Sequence, residues 1–318
     1  MTTATTSLTT HPWFFCGIGG SGMLPLALIL RGHGAEVAGS DRSRDQGRTP
    51  EKFAWLKSLG FMLHPQDGSG ITSAAQTLVA SAAVEDTVPE MVRAKELGCP
   101  RMSRAELLSH LFNAATTGIA VAGTSGKSTV TGMIGWILSE AGYDPTIMNG
   151  AVMKNFVSPD APFASARVGQ GGAFVSEVDE SDGSIKLYRP RVGVLNNITL
   201  DHKSMEELRQ LFGDFLTQSQ SIAVNLDDPE IATILPNHDD CVSFAIENKN
   251  AMFRIEPNSI VETATGIRAN LIETVNGSVA PTLTIELSVP GRHNLMNALA
   301  AIAACQICAV DPLISVQA

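Results

Sequence analysis

The sequence predicts an α/β chain built from two parallel-sheet units, the second with a small antiparallel β portion. Three observations predict it. Short apolar runs alternate with helical patterns along most of the 318 residues. Two glycine-rich turns, Gly17-Ile-Gly-Gly-Ser-Gly22 and Gly123-Thr-Ser-Gly-Lys-Ser128, each sit between an apolar run and a helical pattern. The joints are short, as expected when helices cover a parallel sheet.

Bulk properties narrow the function classes. The apolar fraction is 44% and the charged fraction 17%, an ordinary soluble composition. A net charge of −10 leaves no basic excess for nucleic acid or an anionic membrane. No uninterrupted apolar run is long enough to span a bilayer. Met1 to Thr10 has neither a basic flank nor an apolar core, so it is expected to be a disordered tail over 1–11 and not a signal peptide. The five cysteines are scattered, which fits a reducing cytoplasm. Cys305 and Cys308 form an isolated Cys-x-x-Cys in an apolar run, and core packing explains them better than a metal site.

In chain order, Trp13–Cys16 is a strand. The G-x-G-x-x-G of Gly17–Gly22 and a helix from Met23 follow it. A second strand ends at Asp41. This is the dinucleotide-type fingerprint, with an acid placed for a ribose hydroxyl. It indicates a nucleotide diphosphate, with NAD as the usual occupant, and does not say which. Further strands are read at Phe61–Leu63 and Thr77–Ala80. Helices are read at Glu51–Leu59, Pro89–Leu97 and Arg104–Phe112. His33 and His64 stand alone near turns and read as solvent-facing.

Thr117–Ala122 opens the second unit as a buried strand. Gly123 to Thr129 is a phosphate loop running into a helix whose apolar positions include Met133, Ile134, Trp136, Ile137 and Leu138. The glycines turn backbone N–H groups inward, and the helix start favours anions. Lys127 would reach the terminal phosphates, and the Ser128 hydroxyl would face magnesium. The strict motif needs a glycine where Val121 stands, so the loop is a shortened form.

The strand Ala173–Ser176 leads into Glu177-Val-Asp-Glu-Ser-Asp182. This block is either a solvated acidic loop or the metal's carboxylate source beside the phosphate loop. Val192–Ile198 is the next strand, carrying Thr199 to Lys203 at its end. His202 lies at the same edge as Glu177, although imidazole is an uncommon magnesium ligand. A helix is read at Met205–Leu216 and a strand at Ser221–Val224. Cys241–Leu287 reads as smaller antiparallel strands. Pro290–Asn294 is expected to cap a helix from Leu295 to Val310. Asn294 and Asn297 share a face there, either as a polar helix start or as ligand contacts.

Four blocks in this order resemble the Mur ligase family, ATP-dependent enzymes that build the peptide stem of peptidoglycan. They are Gly17–Met23, Ala122–Thr129, Glu177–Asp182 with Asn197–His202, and Gly291–Asn297. The shortened phosphate loop is that family's own form. The resemblance implies a Rossmann-like N-terminal domain (12–115) that binds the UDP substrate. A P-loop ATPase-type central domain (116–312) would follow, with 313–318 as the start of a linker to a third domain. Without that domain the chain is expected to be incomplete, and weakly active or inactive.

The resemblance also implies site roles. ATP and Mg2+ are the cofactors. UDP-N-acetylmuramate, or a similar UDP-sugar acid, and a free amino acid such as L-alanine are the partners; nucleic acid and membrane are not. Lys127, Glu177 and His202 would be catalytic. Gly123, Thr124, Ser125, Gly126, Lys127, Ser128, Thr129, His293, Asn294 and Asn297 would bind ATP. Gly19, Gly20, Ser21, Gly22, Asp41, Ser81, Ser181 and Asp182 would bind the substrate. Ser128, Thr129, Glu177 and His202 would hold the metal. The chain departs from the family pattern at Ser125 and at Lys203-Ser-Met-Glu206. A Mur-like ligase for another carboxylate, a non-catalytic nucleotide-binding fragment and an NAD-dependent oxidoreductase are the competing readings.

Overall fold

The computed structural model describes residues 11–201, 203–275 and 277–318. The first ten residues of the expected tail and His202 lie outside the described residues. Contacts divide the chain into two compact units. One runs to Ala114 and adds Met148–Val168; the other comprises Ala115–Ile147 and Gly169–Ala318.

The first unit has a parallel five-stranded sheet in the order β3-β2-β1-β4-β5. Its strands are β1 (Trp13–Cys16), β2 (Val37–Ser40), β3 (Met62–His64), β4 (Thr77–Ala80) and β5 (Arg101–Ser103). β1, β2 and β4 are buried along their whole length, so they read as continuous apolar runs. The helices are α1 (Met23–Gly32), the single turn α2 (Arg42–Asp45), α3 (Pro50–Ser58), α4 (Pro89–Leu97) and α5 (Arg104–Asn113). Proline begins α3 and α4, where its missing N–H costs nothing. Ser103 and Glu106 form a capping box that starts α5 straight from β5. The strand order reverses at β1, so the crevice beyond the carboxyl ends of β1 and β4 is where a nucleotide belongs. Strand–helix alternation gave no sign that Met148–Val168 goes with this unit. In that segment Phe163 packs on Trp55 of α3, with ring centroids 5.4 Å apart.

The second unit is organised on β6 (Thr117–Ala122) and α6 (Lys127–Glu140). Its sheet runs β14-β15-β13-β12-β11-β10-β6-β9-β7. In chain order these are β7 (Thr146–Met148), β9 (Ala173–Glu177), β10 (Val192–Leu195), β11 (Ser221–Asn225), β12 (Cys241–Ala245), β13 (Phe253–Ile255), β14 (Val261–Glu262) and β15 (Ile267–Val275), with β8 (Ala166–Arg167) lying in the inserted segment of the first unit. β16 (Ser278–Val279) and β17 (Leu283–Leu287) pair with β15. The helices are α7 (Met205–Gln218), α8 (Pro229–Ile234), α9 (Arg292–Ile307) and α10 (Pro312–Gln317). β9, β6, β10, β11, β12 and β13 are parallel. The antiparallel part therefore starts at the β13–β15 pair and not at Cys241, as the alternating pattern had suggested. Helix α9 begins at Arg292, so His293 and Asn294 lie in its first turn and Gly291 occupies the cap. Cys305 is fully buried in α9 and its Sγ lies 4.0 Å from Ile134 O, which is the core role expected of it. Among the described residues no helix is long and apolar enough to cross a membrane.

Candidate functional site

Register builds the site of the second unit. β6 lies between β9 and β10, with Val121 beside Glu177 and Ala122 beside Leu195. The carboxyl ends of three parallel strands are therefore level, and the loop Gly123–Gly126 leaves the middle one. Gly126 is left-handed (φ +81°), and a Cβ there would lie 2.5 Å from Asn297 Oδ1 and 2.9 Å from Asn196 Nδ2. Only glycine fits both the turn and the space. The amides of Asn196 and Asn297 bond each other at 2.9 Å beneath it.

The Lys127 ammonium donates to Gly123 O at 2.7 Å and to Glu180 Oε1 and Oε2 at 3.2 and 3.0 Å. Ser128 Oγ donates to Glu177 Oε2 at 2.6 Å. Two of the clustered acids thus face the phosphate loop. The other two cap their own turns: Asp179 accepts from Ser181 N and Oγ, and Asp182 from Ser184 N. This division answers the repulsion that four neighbouring carboxylates would otherwise meet. Ser181 and Asp182, expected at the substrate, are exposed and make these local turn contacts.

Thr124 and Ser125 turn toward the segment after β10. Thr124 N donates to Asn197 O, and Ser125 N to Asn197 Oδ1. The helix start at Lys127 and its first-turn N–H groups form the remaining cradle, Thr129 among them. His293 is exposed, and Asn294 donates from Nδ2 to Pro290 O at 2.7 Å. Asn297 is buried against the loop. The two asparagines share a helix but not an environment.

A hard, oxygen-rich ligand set suits magnesium, which takes one or two protein groups and keeps its waters and substrate phosphates. Ser128 and Glu177 fit that pattern. Among the described residues no group of three or more His, Cys, Asp or Glu forms a complete metal cage.

In the first unit the glycine loop is closed by backbone bonds, with Gly17 N and Ile18 N both donating to Ser40 O. Asp41 accepts from Gly19 N through Oδ2 and from Ser43 N through Oδ1, both at 2.8 Å. Its carboxylate ties the loop to α2. Ser21 is exposed at the loop tip, while Gly20 N bonds back to Gly17 O. Two cations escaped the sequence reading. Lys52 Nζ donates to Gly19 O at 3.2 Å, and a Cβ on Gly22 would meet Arg104 Nη1 at 3.0 Å. Neither follows from a motif, because α3 and the start of α5 bring them from 33 and 82 residues away in sequence. Ser81 lines a cavity of about 520 Å³ with Ala82, Glu85, Arg101 and Ser103. Nearby, burial and then the charge of Glu90 push the Cys16 thiol up to about 11, so it stays protonated.

The sequence and the fold are similar to those of known proteins. Residues 14–116 match the model described as Mur ligase family, catalytic domain, and residues 121–305 match the Mur ligase middle domain. A UDP-N-acetylmuramate–L-alanine ligase of Persephonella marina is 36% identical over 299 residues, 91% of this chain and 60% of the relative. One from Synechococcus sp. (strain JA-3-3Ab) is 38% identical over 296 residues, 92% of this chain and 54% of the relative. The chain thus spans between a half and two thirds of the length of such relatives. Among solved structures, the UDP-N-acetylmuramate–alanine ligase of Thermotoga maritima superposes with TM-score 0.79 at 25% identity, covering 96% of this chain and 67% of that one. The UDP-N-acetylmuramate:L-alanyl-γ-D-glutamyl-meso-diaminopimelate ligase of Neisseria meningitides gives 0.78 at 26% identity, covering 96% of both chains.

Proposed function

Because the chain belongs to the Mur ligase family, we propose that it supplies the nucleotide-binding parts of an ATP-dependent amide ligase of peptidoglycan precursor synthesis, acting in the cytoplasm. The carboxylate substrate is UDP-N-acetylmuramate and the amine is L-alanine, as in the names of its relatives. The observation that supports this most is the phosphate loop at the carboxyl end of β6, with Lys127 held over it and Ser128 paired to Glu177.

In this reading the first-turn N–H groups of α6 hold the β- and γ-phosphates, and Lys127 leaves Glu180 to neutralise them. The substrate carboxylate attacks the γ-phosphorus, ADP leaves, and an acyl phosphate forms. The amine then attacks the acyl carbon, and inorganic phosphate leaves with the amide made. When bound, magnesium neutralises charge on the phosphate oxygens. Ser128, Thr129 and Glu177 would hold it, with His202 assigned by family likeness. The glycine loop, with Lys52 and Arg104, takes the UDP diphosphate. Asp41 positions that loop.

Thermal shift with UDP-N-acetylmuramate, UDP-N-acetylglucosamine and UDP tests the substrate. The muramate compound should stabilise most; no shift with it removes the peptidoglycan reading. A second reading, a ligase that joins a peptide to the same muramate carboxylate, is supported by the structural likeness to the Neisseria ligase, with TM-score 0.78 at 26% identity. Phosphate release with L-alanine against L-alanyl-γ-D-glutamyl-meso-diaminopimelate separates the two.

A further inference from the structure

We propose that Asn197 is a positioning residue for nucleotide binding, a single amide that fixes the tip of the phosphate loop so that the start of α6 forms the cradle. The proposal rests on the ATP reading above. Asn197 Oδ1 accepts from Thr124 Oγ1 at 2.9 Å, from Ser125 N at 2.9 Å and from Ser125 Oγ at 3.2 Å. Its Nδ2 donates to Ser125 O at 3.0 Å. Its backbone carbonyl accepts from Thr124 N at 3.1 Å. The pinning continues two residues on, where Thr199 N donates to Thr124 Oγ1 at 3.0 Å and the two threonine hydroxyls meet at 2.7 Å.

The chemistry needs an asparagine. The loop tip offers an N–H and a C=O on Ser125, so the clamp must accept and donate from one planar head. An ionised aspartate has no donor, and alanine has neither group. The loop also needs a clamp. Gly123 (φ +135°) and Gly126 (φ +81°) both lie in the left-handed region, so the segment between them has little intrinsic preference for one shape. A cradle stabilises a polyphosphate best when its donors are already fixed. The N–H groups of Thr124 and Ser125 are turned to Asn197, so a phosphate meets the donors from Gly126 onward. Asn197 therefore acts through the loop and does not touch the ligand.

Calorimetry with Mg-ATP, Mg-ADP and AMP on the wild-type chain, Asn197→Ala and Thr124→Val tests this. AMP serves as a control because it has no β- or γ-phosphate. Asn197→Ala should weaken ATP and ADP by about tenfold or more, the worth of one lost net hydrogen bond or a little over, and change AMP less than about twofold, below ~0.5 kcal/mol. Thr124→Val, which loses only a hydroxyl, should give the same pattern more weakly and keeps the test valid if the alanine variant fails to fold. Equal weakening of AMP and ATP would reduce Asn197 to a fold brace and overturn the proposal, as would unchanged ATP affinity. Wild-type protein that binds AMP and ATP equally overturns the phosphate-loop reading itself, and the proposal with it.

Discussion

Lys127→Ala should have two separable effects. The Lys127 ammonium lies 3.0 Å from Glu180 Oε2, with the lysine side chain 20% exposed and the glutamate 7%. Removing the lysine strands a buried carboxylate. Breaking a fully buried pair from one side costs about 3–5 kcal/mol. Water reaches a fifth of this lysine, which lowers the expected loss to about 2 kcal/mol. For a unit of this size that is a fall in melting temperature of roughly 4–8 °C. Lys127→Ala with Glu180→Gln removes the stranded charge, so melting should return most of the way while ATP binding stays lost. Differential scanning calorimetry of the wild type, the single and the double variant reads this. A single variant that melts with the wild type, or a double variant no better than the single, refutes the reasoning.

Gly126→Ala places a Cβ 2.5 Å from Asn297 Oδ1 at a left-handed residue, so denaturant unfolding should show a loss of about 1–3 kcal/mol. Ser128→Ala removes the 2.6 Å bond to Glu177; ATP titrations with and without magnesium should show the magnesium-dependent gain shrink by roughly tenfold while magnesium-free binding holds. Glu106 and Glu207 are held below the ordinary carboxylate range by the backbone N–H groups of Ser103 and Ser204, and Glu230 by hydrogen bonds from Arg209. Their lowered folded values mean the contribution is complete above the ordinary value and disappears as pH falls through the lowered one. Melting temperature should therefore drop from about pH 4.5 downward, and a flat profile there would contradict the capping geometry. Burial pushes the Cys305 thiol well above its usual value, so native-state alkylation followed by mass mapping should leave it unmodified.

The elements around β1 and β6 were legible in the sequence because each joins a largely apolar, buried strand to a glycine turn and a helix. Lys127, Ser128 and Glu177 were readable for the same reason: their places follow from strand ends. Glu180 was visible as a charge, but its role depends on register, which puts β9 beside β6. Asn196 and Asn197 lie on β10's exit and gain meaning only because β10 flanks β6 on the other side. Lys52 and Arg104 reach the glycine loop through helix packing that no local pattern encodes. Asp41 was read as a ribose contact from spacing alone, while its two backbone partners depend on how the chain turns into α2.

The central claim is that the loop Gly123–Thr129 binds Mg-ATP through Lys127. The most direct measurement is calorimetric titration of Mg-ATP into the wild-type chain and into Lys127→Ala with Glu180→Gln, whose fold is kept by removal of the stranded charge. The wild type should show one site, and the variant should lose at least roughly a hundredfold in affinity. Equal affinity in the two proteins would contradict it.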